Sequence, residues 1–209
     1  LKLSLIAALV AWLIGIPAGI VSAVKKNSIL DHLFMGVSLM GVSMPVFWAA
    51  LLFQYIFAYK LGWFPVSGTN GWTSYVLPSI VLGWSSAGTI ARLTRSNQLE
   101  TLEDDYIRTA WAKGLGQSGV IVKHAFKNAL LPVITMMAIQ VASLLSGAVI
   151  TESVFAIPGV GRLAVDAISS RDMPLLQGTV VFTTILIILG NLLADVLYSV
   201  IDPRIRTDH

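Results

Sequence analysis

The residue in this chain whose type and place could most readily do chemistry is Asp195, an acid inside the apolar run from about 175 to 201. A carboxylate in such a run is expensive and needs a partner, so it reads either as a proton relay or as a structural acid paired with a basic group. Glu152, at the end of another apolar run, carries the same two readings. Gly114, Gly116 and Gly119 reproduce the GxGxxG spacing of a dinucleotide-binding turn. That turn needs a strand before the glycines and an acid about twenty residues beyond them. A charged helical stretch precedes these glycines and the apolar Leu131 to Ile134 lie at that distance, so the cofactor reading is rejected. There is no GxxxxGK[ST] for binding ATP through a P-loop, and neither HExxH nor GxSxG for hydrolysis. Zero cysteines remove disulfides, Cys-ligated zinc and thiol catalysis together.

These residues must be positioned by elements that suit lipid. Of the 209 residues 56% are hydrophobic and only 12% charged, with a mean hydropathy of +0.78, against roughly 25% charged in soluble domains. Apolar runs that approach the roughly 20 residues needed to cross a bilayer occupy about 3–24, 33–59, 75–91, 129–150 and 175–201. Period-2 alternation is absent, so all five are expected to be helices, and the fold class is an all-α polytopic membrane bundle forming a single domain over 1–209. Pro45 falls near the middle of the second run. Gly15 and Gly19 form a GxxxG around Pro17, and Ser79, Gly83, Ser85, Ser86, Gly88 and Thr89 crowd the third run. Such residues suit close helix packing or a polar lining along a route. The net charge of +3 is spread over 14 basic residues with no dense run, which argues against nucleic acid as a partner.

Basic residues mark the cytoplasmic side. Alternating the five spans puts Lys25, Lys26, Arg92, Arg95, Arg108, Lys113, Lys123, Lys127, Arg204 and Arg206 together, against Lys2, Lys60, Arg162 and Arg171. The larger set is assigned inside, which places 60–74 and 151–174 outside and the C-terminus in the cytoplasm. Five spans with an inner C-terminus require an outer start, so a further span is expected upstream of Leu1; a cleaved signal peptide is the alternative. His32, His124 and His209 all map to the cytoplasmic side. The segment of about 92–128 is too short for a catalytic domain and is expected to make contacts. Within it, Glu103, Asp104 and Asp105 precede a helix over Tyr106 to Lys113, as a helix N-terminus favours. Tyr106, Thr109, Ala110 and Lys113 share helical spacing, and Gly114 supplies a stop or turn. A solvated connector is the plainer reading of the same segment.

Asp105-Tyr106-Ile107-Arg108-Thr109-Ala110-Trp111-Ala112-Lys113-Gly114, followed by His124-Ala125-Phe126-Lys127-Asn128-Ala129-Leu130-Leu131-Pro132, resembles the EAA loop of ABC-transporter permeases. Glu152-Ser153-Val154-Phe155, Pro158-Gly159-Val160-Gly161-Arg162-Leu163, Arg171-Asp172-Met173-Pro174 and Asp202-Pro203-Arg204-Ile205-Arg206 follow in the order of the dipeptide, oligopeptide and nickel branch. Gly62-Trp63-Phe64-Pro65 extends the likeness over essentially the whole chain.

The resemblance implies a type I ABC importer permease fold and a short helix that fits a groove on a separate ATPase subunit. Arg108, Thr109 and Ala110 then hold the E, A and A places, with Gly114 as the glycine and Pro132 as the terminal proline. Asp105 and Tyr106 open the helix, and Trp111 departs from the basic residue usual at its place. Small Thr109 and Ala110 would let the backbone approach the partner, while Arg108 and Lys113 pair with acidic groups on its rim. On the outer side, Glu152, Phe155, Pro158, Gly159, Gly161 and Arg162 would shape an amphipathic or re-entrant segment over the mouth of the pathway; a helix resting on lipid is the alternative. By the same resemblance Asp195 is a structural acid. The implied partners are a second homologous permease, two ATPase subunits, an extracytoplasmic solute-binding protein and membrane lipid, in a bacterial or archaeal inner membrane. The chain itself is expected to hold no catalytic, cofactor or metal site, Mg-ATP being bound by the ATPase subunits. Peptides are the expected substrate, with nickel, a nickel chelate or glutathione as alternatives, and an ion-coupled transporter using Asp195 as a competing class.

Overall fold

Pro45 divides the second apolar run into two helices. In the computed structural model, which describes residues 1–69, 71–145 and 148–201 but not the side chains of 145, 193–195 and 197–201, helix α1 spans Lys2–Val24 and α2 spans Ile29–Ser43. Helix α3, Val46–Phe53, then leaves at 108° to α2 and continues as a π-helical stretch, Gln54–Lys60. Pro45 has no N–H to donate and disfavours helical backbone in the residue before it, and Met44 is accordingly extended, at ψ 129°. The apolar run over 33–59 is therefore a shorter helix followed by a lateral arm, broken at Pro45. Pro17 and Pro132, by contrast, lie within continuous helices.

A 3-10 turn, Trp72–Tyr75, leads into α4, Val76–Leu102, and a short break separates this from α5, Asp105–Ala112. A second π-helical stretch, Gly119–Phe126, runs directly into α6, Lys127–Leu145. The chain closes with α7, Val149–Val154, α8, Val160–Ser169, and α9, Met173–Ile201. No strand occurs among the described residues.

Helix α4 is the axis of the bundle. Its 27 residues span about 40 Å, well past the end expected near residue 91. Ser79, Thr94, Gln98 and Thr101 are buried in it, so protein, not lipid, covers much of this helix. Length and composition alone qualify α1, the stretch Gly119–Leu144 and Met173–Leu192 as membrane-crossing, with α2 and its bent continuation as a fourth. Polar residues that find protein neighbours keep α4 from passing the same test.

Glycines set how close α4 lies to its neighbours. A Cβ on Gly15 would stand 2.7 Å from the Ala87 carbonyl oxygen, and one on Gly83 would stand 2.9 Å from that of Ala7. The small-residue stripes thus serve backbone-to-backbone packing of α1 along α4, the two running parallel. Helix α2 runs antiparallel to α4, with Trp84 Nε1 donating to the Val37 carbonyl at 3.1 Å. Helix α6 returns the other way, tied by Gln140 to the Ser86 carbonyl (3.1 Å) and by Ser4 to the Leu144 carbonyl (2.7 Å). These registers define two ends. One gathers Lys25, Arg95, α5 and the π-helix after it; the other gathers residue 1, α3, the 3-10 turn, α7 and α8. Along α9, Val180, Val181, Ile185, Ile188 and Leu192 are exposed, a continuous apolar face that water does not favour and acyl chains do.

Candidate functional site

Helix α5 stands on its own small core. Ile107 and Ala110 are buried with Val120 and Ala125 of the π-helix, and Leu102 packs against them from the end of α4. Six consecutive helical residues cannot all face one way, so burying Ile107 and Ala110 turns Tyr106, Arg108, Thr109 and Trp111 outward. Lys113 is exposed at the helix end. Ala110, expected on the partner-facing surface, is buried in this chain, where it packs with the π-helix.

The end of α5 is built by local backbone geometry. Gly114 has φ +73°, its N–H donates to the Trp111 carbonyl at 3.0 Å and that of Leu115 donates to the Ala110 carbonyl at 3.4 Å. This pair of bonds is a Schellman motif, which satisfies two helix-end carbonyls and needs a left-handed residue. A Cβ on Gly114 would meet nothing within 4 Å, so backbone conformation is the reason for glycine here. At the start of α5, Arg108 pairs with Asp105 (3.3 Å) and Thr109 Oγ1 donates to the Asp105 carbonyl (3.0 Å). Asn128 Nδ2 donates to the Tyr106 hydroxyl at 2.7 Å, tying α5 to the first turn of α6. Pro132 lies one turn further along α6, exposed.

Behind this hairpin lies a polar cluster that sequence reasoning missed. Arg95 of α4 reaches Asp31 of α2 with two parallel bonds, Nε to Oδ1 and Nη2 to Oδ2, both 2.7 Å. The Asp31 side chain is only 4% exposed and that of Arg95 26%. Ser22 of α1 donates its hydroxyl to the same carboxylate, and the Asn27 N–H does so at 2.9 Å. One carboxylate therefore joins α1, the α1–α2 turn, α2 and α4, and its charge-assisted bidentate pair is the strong kind. Both residues stand in the sequence as ordinary cytoplasmic charges, and nothing local announces that they meet. A turn further on, Gln98 is fully buried and donates to the Ile121 carbonyl in the π-helix at 3.4 Å.

At the opposite end Glu152 is buried, and its role is visible. Its Oε2 accepts the Arg162 N–H at 3.1 Å in the first turn of α8, where an anion offsets unpaired N–H groups and the helix dipole. Gly159 and Gly161 make room: a Cβ on Gly159 would overlap the Glu152 carboxyl group, and one on Gly161 would stand 2.6 Å from the Val149 Cα. Phe155 is buried with Leu3, Ala50, Leu77 and Ile157, and its carbonyl accepts the Gly68 N–H at 3.0 Å. Gln54 links the same layer by donating to the Val66 carbonyl at 2.8 Å and the Val154 carbonyl at 3.2 Å. Pro158, Gly159, Arg162, Leu163 and Asp166 line an open hollow of about 500 Å³ at the surface. Arg162 pairs with Asp166 one turn further along α8 at 3.9 Å. The residues expected over a mouth thus form one folded layer with Glu152 as its internal anchor.

Asp195 lies in α9, but its side chain and the 202–206 motif are outside the described residues. Among the described residues no group of three or more His, Cys, Asp or Glu side chains converges as metal ligands.

The profile described as "Binding-protein-dependent transport system inner membrane component" matches residues 15–207. A dipeptide transport system permease protein of Alkalihalophilus pseudofirmus is 45% identical over 234 residues, covering 99% of this chain and 70% of the relative. A di/tripeptide transport system permease protein of Pseudomonas aeruginosa is 42% identical with the same coverage. A glutathione transport system permease protein of Escherichia coli K12 is 42% identical over 196 residues, 94% of this chain and 64% of the relative. Among solved structures, the MetNI methionine ABC transporter in an inward-facing conformation superposes with a TM-score of 0.80 at 16% identity, covering 96% of this chain and 92% of that one. At that identity the likeness speaks for the fold alone.

Proposed function

The chain belongs to the family of inner membrane components of binding-protein-dependent transport systems, and we propose that it is the permease subunit of an ATP-driven importer of di- or oligopeptides. In this reading α5 is the coupling helix. It enters a groove on a separate ATPase subunit, with Tyr106, Arg108, Thr109, Trp111 and Lys113 at the contact and Gly114 and Pro132 setting the hairpin's geometry. The observation that carries it is the support of α5 from below by Ile107, Ala110, Val120 and Ala125, which leaves an exposed face that nothing among the described residues covers.

The α5 end is then cytoplasmic and the Glu152 layer faces the solute-binding protein, which delivers substrate there. A second homologous permease and two ATPase subunits complete the assembly. This chain does no chemistry on ATP; nucleotide acts by binding two states of the assembly unequally, and the permease supplies the element that switches between them. The peptide names of the relatives at 42–45% identity support peptides over nickel, and glutathione remains within the same substrate chemistry.

Co-expression with candidate ATPase and permease partners, purification in detergent and assay of vanadate-sensitive hydrolysis test the proposal. A stable complex whose hydrolysis rises with binding protein and dipeptide is the expected result. No complex with any such partner, with uptake that follows a proton gradient alone, would overturn it.

A further inference from the structure

Helix α4 is one of two routes by which movement of α5 reaches the bundle, since the chain turns from Leu102 to Asp105 directly between them; the other runs through the π-helix into α6. The grip of α4 on α5 is local: Leu102 packs on the hairpin core and Gln98 bonds the Ile121 carbonyl. Its grip on α1 in the bilayer region is of another kind. Gly15 and Gly83 set backbone against backbone, contacts that are close but involve no hydrogen bond between side chains. Directional bonds are needed to make α1, α2 and α4 move as one body.

The charged one is at the α5 end. Asp31 and Arg95 join in two 2.7 Å bonds, seven residues or about 10 Å before the end of α4. The same carboxylate takes the Ser22 hydroxyl from α1 and the Asn27 N–H from the turn between α1 and α2. A buried ion pair is a poor way to gain stability, since apolar residues of similar volume serve as well, and its best-attested use is to fix register. Planar bidentate geometry tolerates neither axial sliding nor rotation of α4 against the α1–α2 turn.

We propose that Asp31 and Arg95 are positioning residues for transport, a register clamp that carries displacement of α5 and α4 into α1 and α2. This rests on the coupling-helix reading of α5. Loosening the clamp lets α4 shift while α1 and α2 lag, so nucleotide turnover continues and the membrane part no longer follows it.

The test uses the complete complex in proteoliposomes and measures both dipeptide uptake and ATP hydrolysis for three variants: Arg95→Lys, Asp31→Asn, and the double replacement Asp31→Leu with Arg95→Leu. The double variant removes the pair without stranding a buried charge, so it assembles even where the single ones do not. The expected result is an assembled complex that hydrolyses ATP near the parental rate while uptake per ATP falls at least about tenfold, the order of a typical coupling energy. Ser22→Ala, which removes the donor from α1 to the carboxylate and leaves the ion pair, is expected to lower the ratio by less than the double variant does. Parental uptake per ATP in the double variant overturns the clamp, and so does loss of assembly in all three variants, which would assign the pair to folding alone. If the parental complex itself shows no ATP-driven uptake, the permease reading falls first.

Discussion

Replacing Glu152 and Gly159 singly and together asks whether the outer layer is anchored as described. Glu152→Ala removes the carboxylate that accepts the Arg162 N–H. A hydrogen bond to a charged group contributes about 1.5–3 kcal/mol net, and Glu152 is only 8% exposed, so solvent screens it little. At about 2–4 °C per kcal/mol for a chain of this size, a 2 kcal/mol loss lowers the unfolding midpoint by about 4–8 °C. Gly159→Ala places a Cβ on the Glu152 carboxyl group and expels it, at an overpacking cost of about 1–3 kcal/mol. Gly159 has φ −144°, a conformation alanine adopts freely, so no backbone strain adds to the collision. Once Glu152 is alanine the carboxyl group that a Cβ would strike is gone, and Gly159→Ala then costs much less. The double variant is therefore expected to lie close to Glu152→Ala alone, a departure from additivity of about 1–3 kcal/mol, above the scatter of about 0.5 kcal/mol for independent sites. Thermal unfolding in detergent, followed through tryptophan fluorescence and by proteolysis of the 151–174 segment, reads all four corners of the cycle. Additive single effects would refute the placement of Glu152 beneath Gly159.

Three further outcomes follow from other parts of the fold. Gly114→Val forces a β-branched residue to φ +73° at about 1–2 kcal/mol and should abolish coupling, whereas Gly114→Asn, which tolerates that region, should keep most uptake; equal uptake by the two would count against the turn. Gly15→Val drives side-chain atoms into the Ala87 carbonyl and Ile90, and the expected cost of about 1–3 kcal/mol is read as a lowered yield of folded protein in detergent. The absence of cysteine makes the chain a natural background for single labels. Lys113→Cys should react with an impermeant maleimide only in inside-out vesicles and Arg162→Cys only in right-side-out ones; labelling from the same side would overturn the orientation.

What could be read from the sequence divides by how far apart the cooperating residues lie. The end of α5 depends on Ala110, Trp111, Gly114 and Leu115 alone, and a glycine after a helix-forming stretch announces such a stop by itself. The acids ahead of α5 and the proline between α2 and α3 are equally local. Hydropathy, however, carries no direction: α3 is as apolar as α2 because it packs with Leu77 and Phe155 in one apolar cluster, so a run that turns through 108° reads as one continuous span. The same averaging ended α4 near residue 91, since Arg95 and Gln98 look like the start of a polar loop until their partners are known.

Those partners are the part no local pattern contains. Asp31 and Arg95 lie 64 residues apart, and each alone is an unremarkable charge beside a span. Glu152 and Arg162 are only ten residues apart, yet the bond uses the backbone N–H of Arg162, so residue type gives no hint of it. Small residues mislead in a related way. Alanine at 110 and glycine at 15, 83 and 159 each signal that something comes close, and in every case the neighbour is this chain itself: the π-helix, the Ala87 and Ala7 carbonyls, and the Glu152 carboxylate. Ala110 of α5 is thus satisfied by internal packing first, and Tyr106, Arg108, Thr109, Trp111 and Lys113 remain exposed. On this reasoning Ala110→Leu should damage the hairpin and lower the stability of the isolated chain. Trp111→Ala should leave that stability unchanged and weaken only the complex with the ATPase subunit. The reverse pattern, measured by unfolding of the isolated chain against co-purification, would return Ala110 to the contact face.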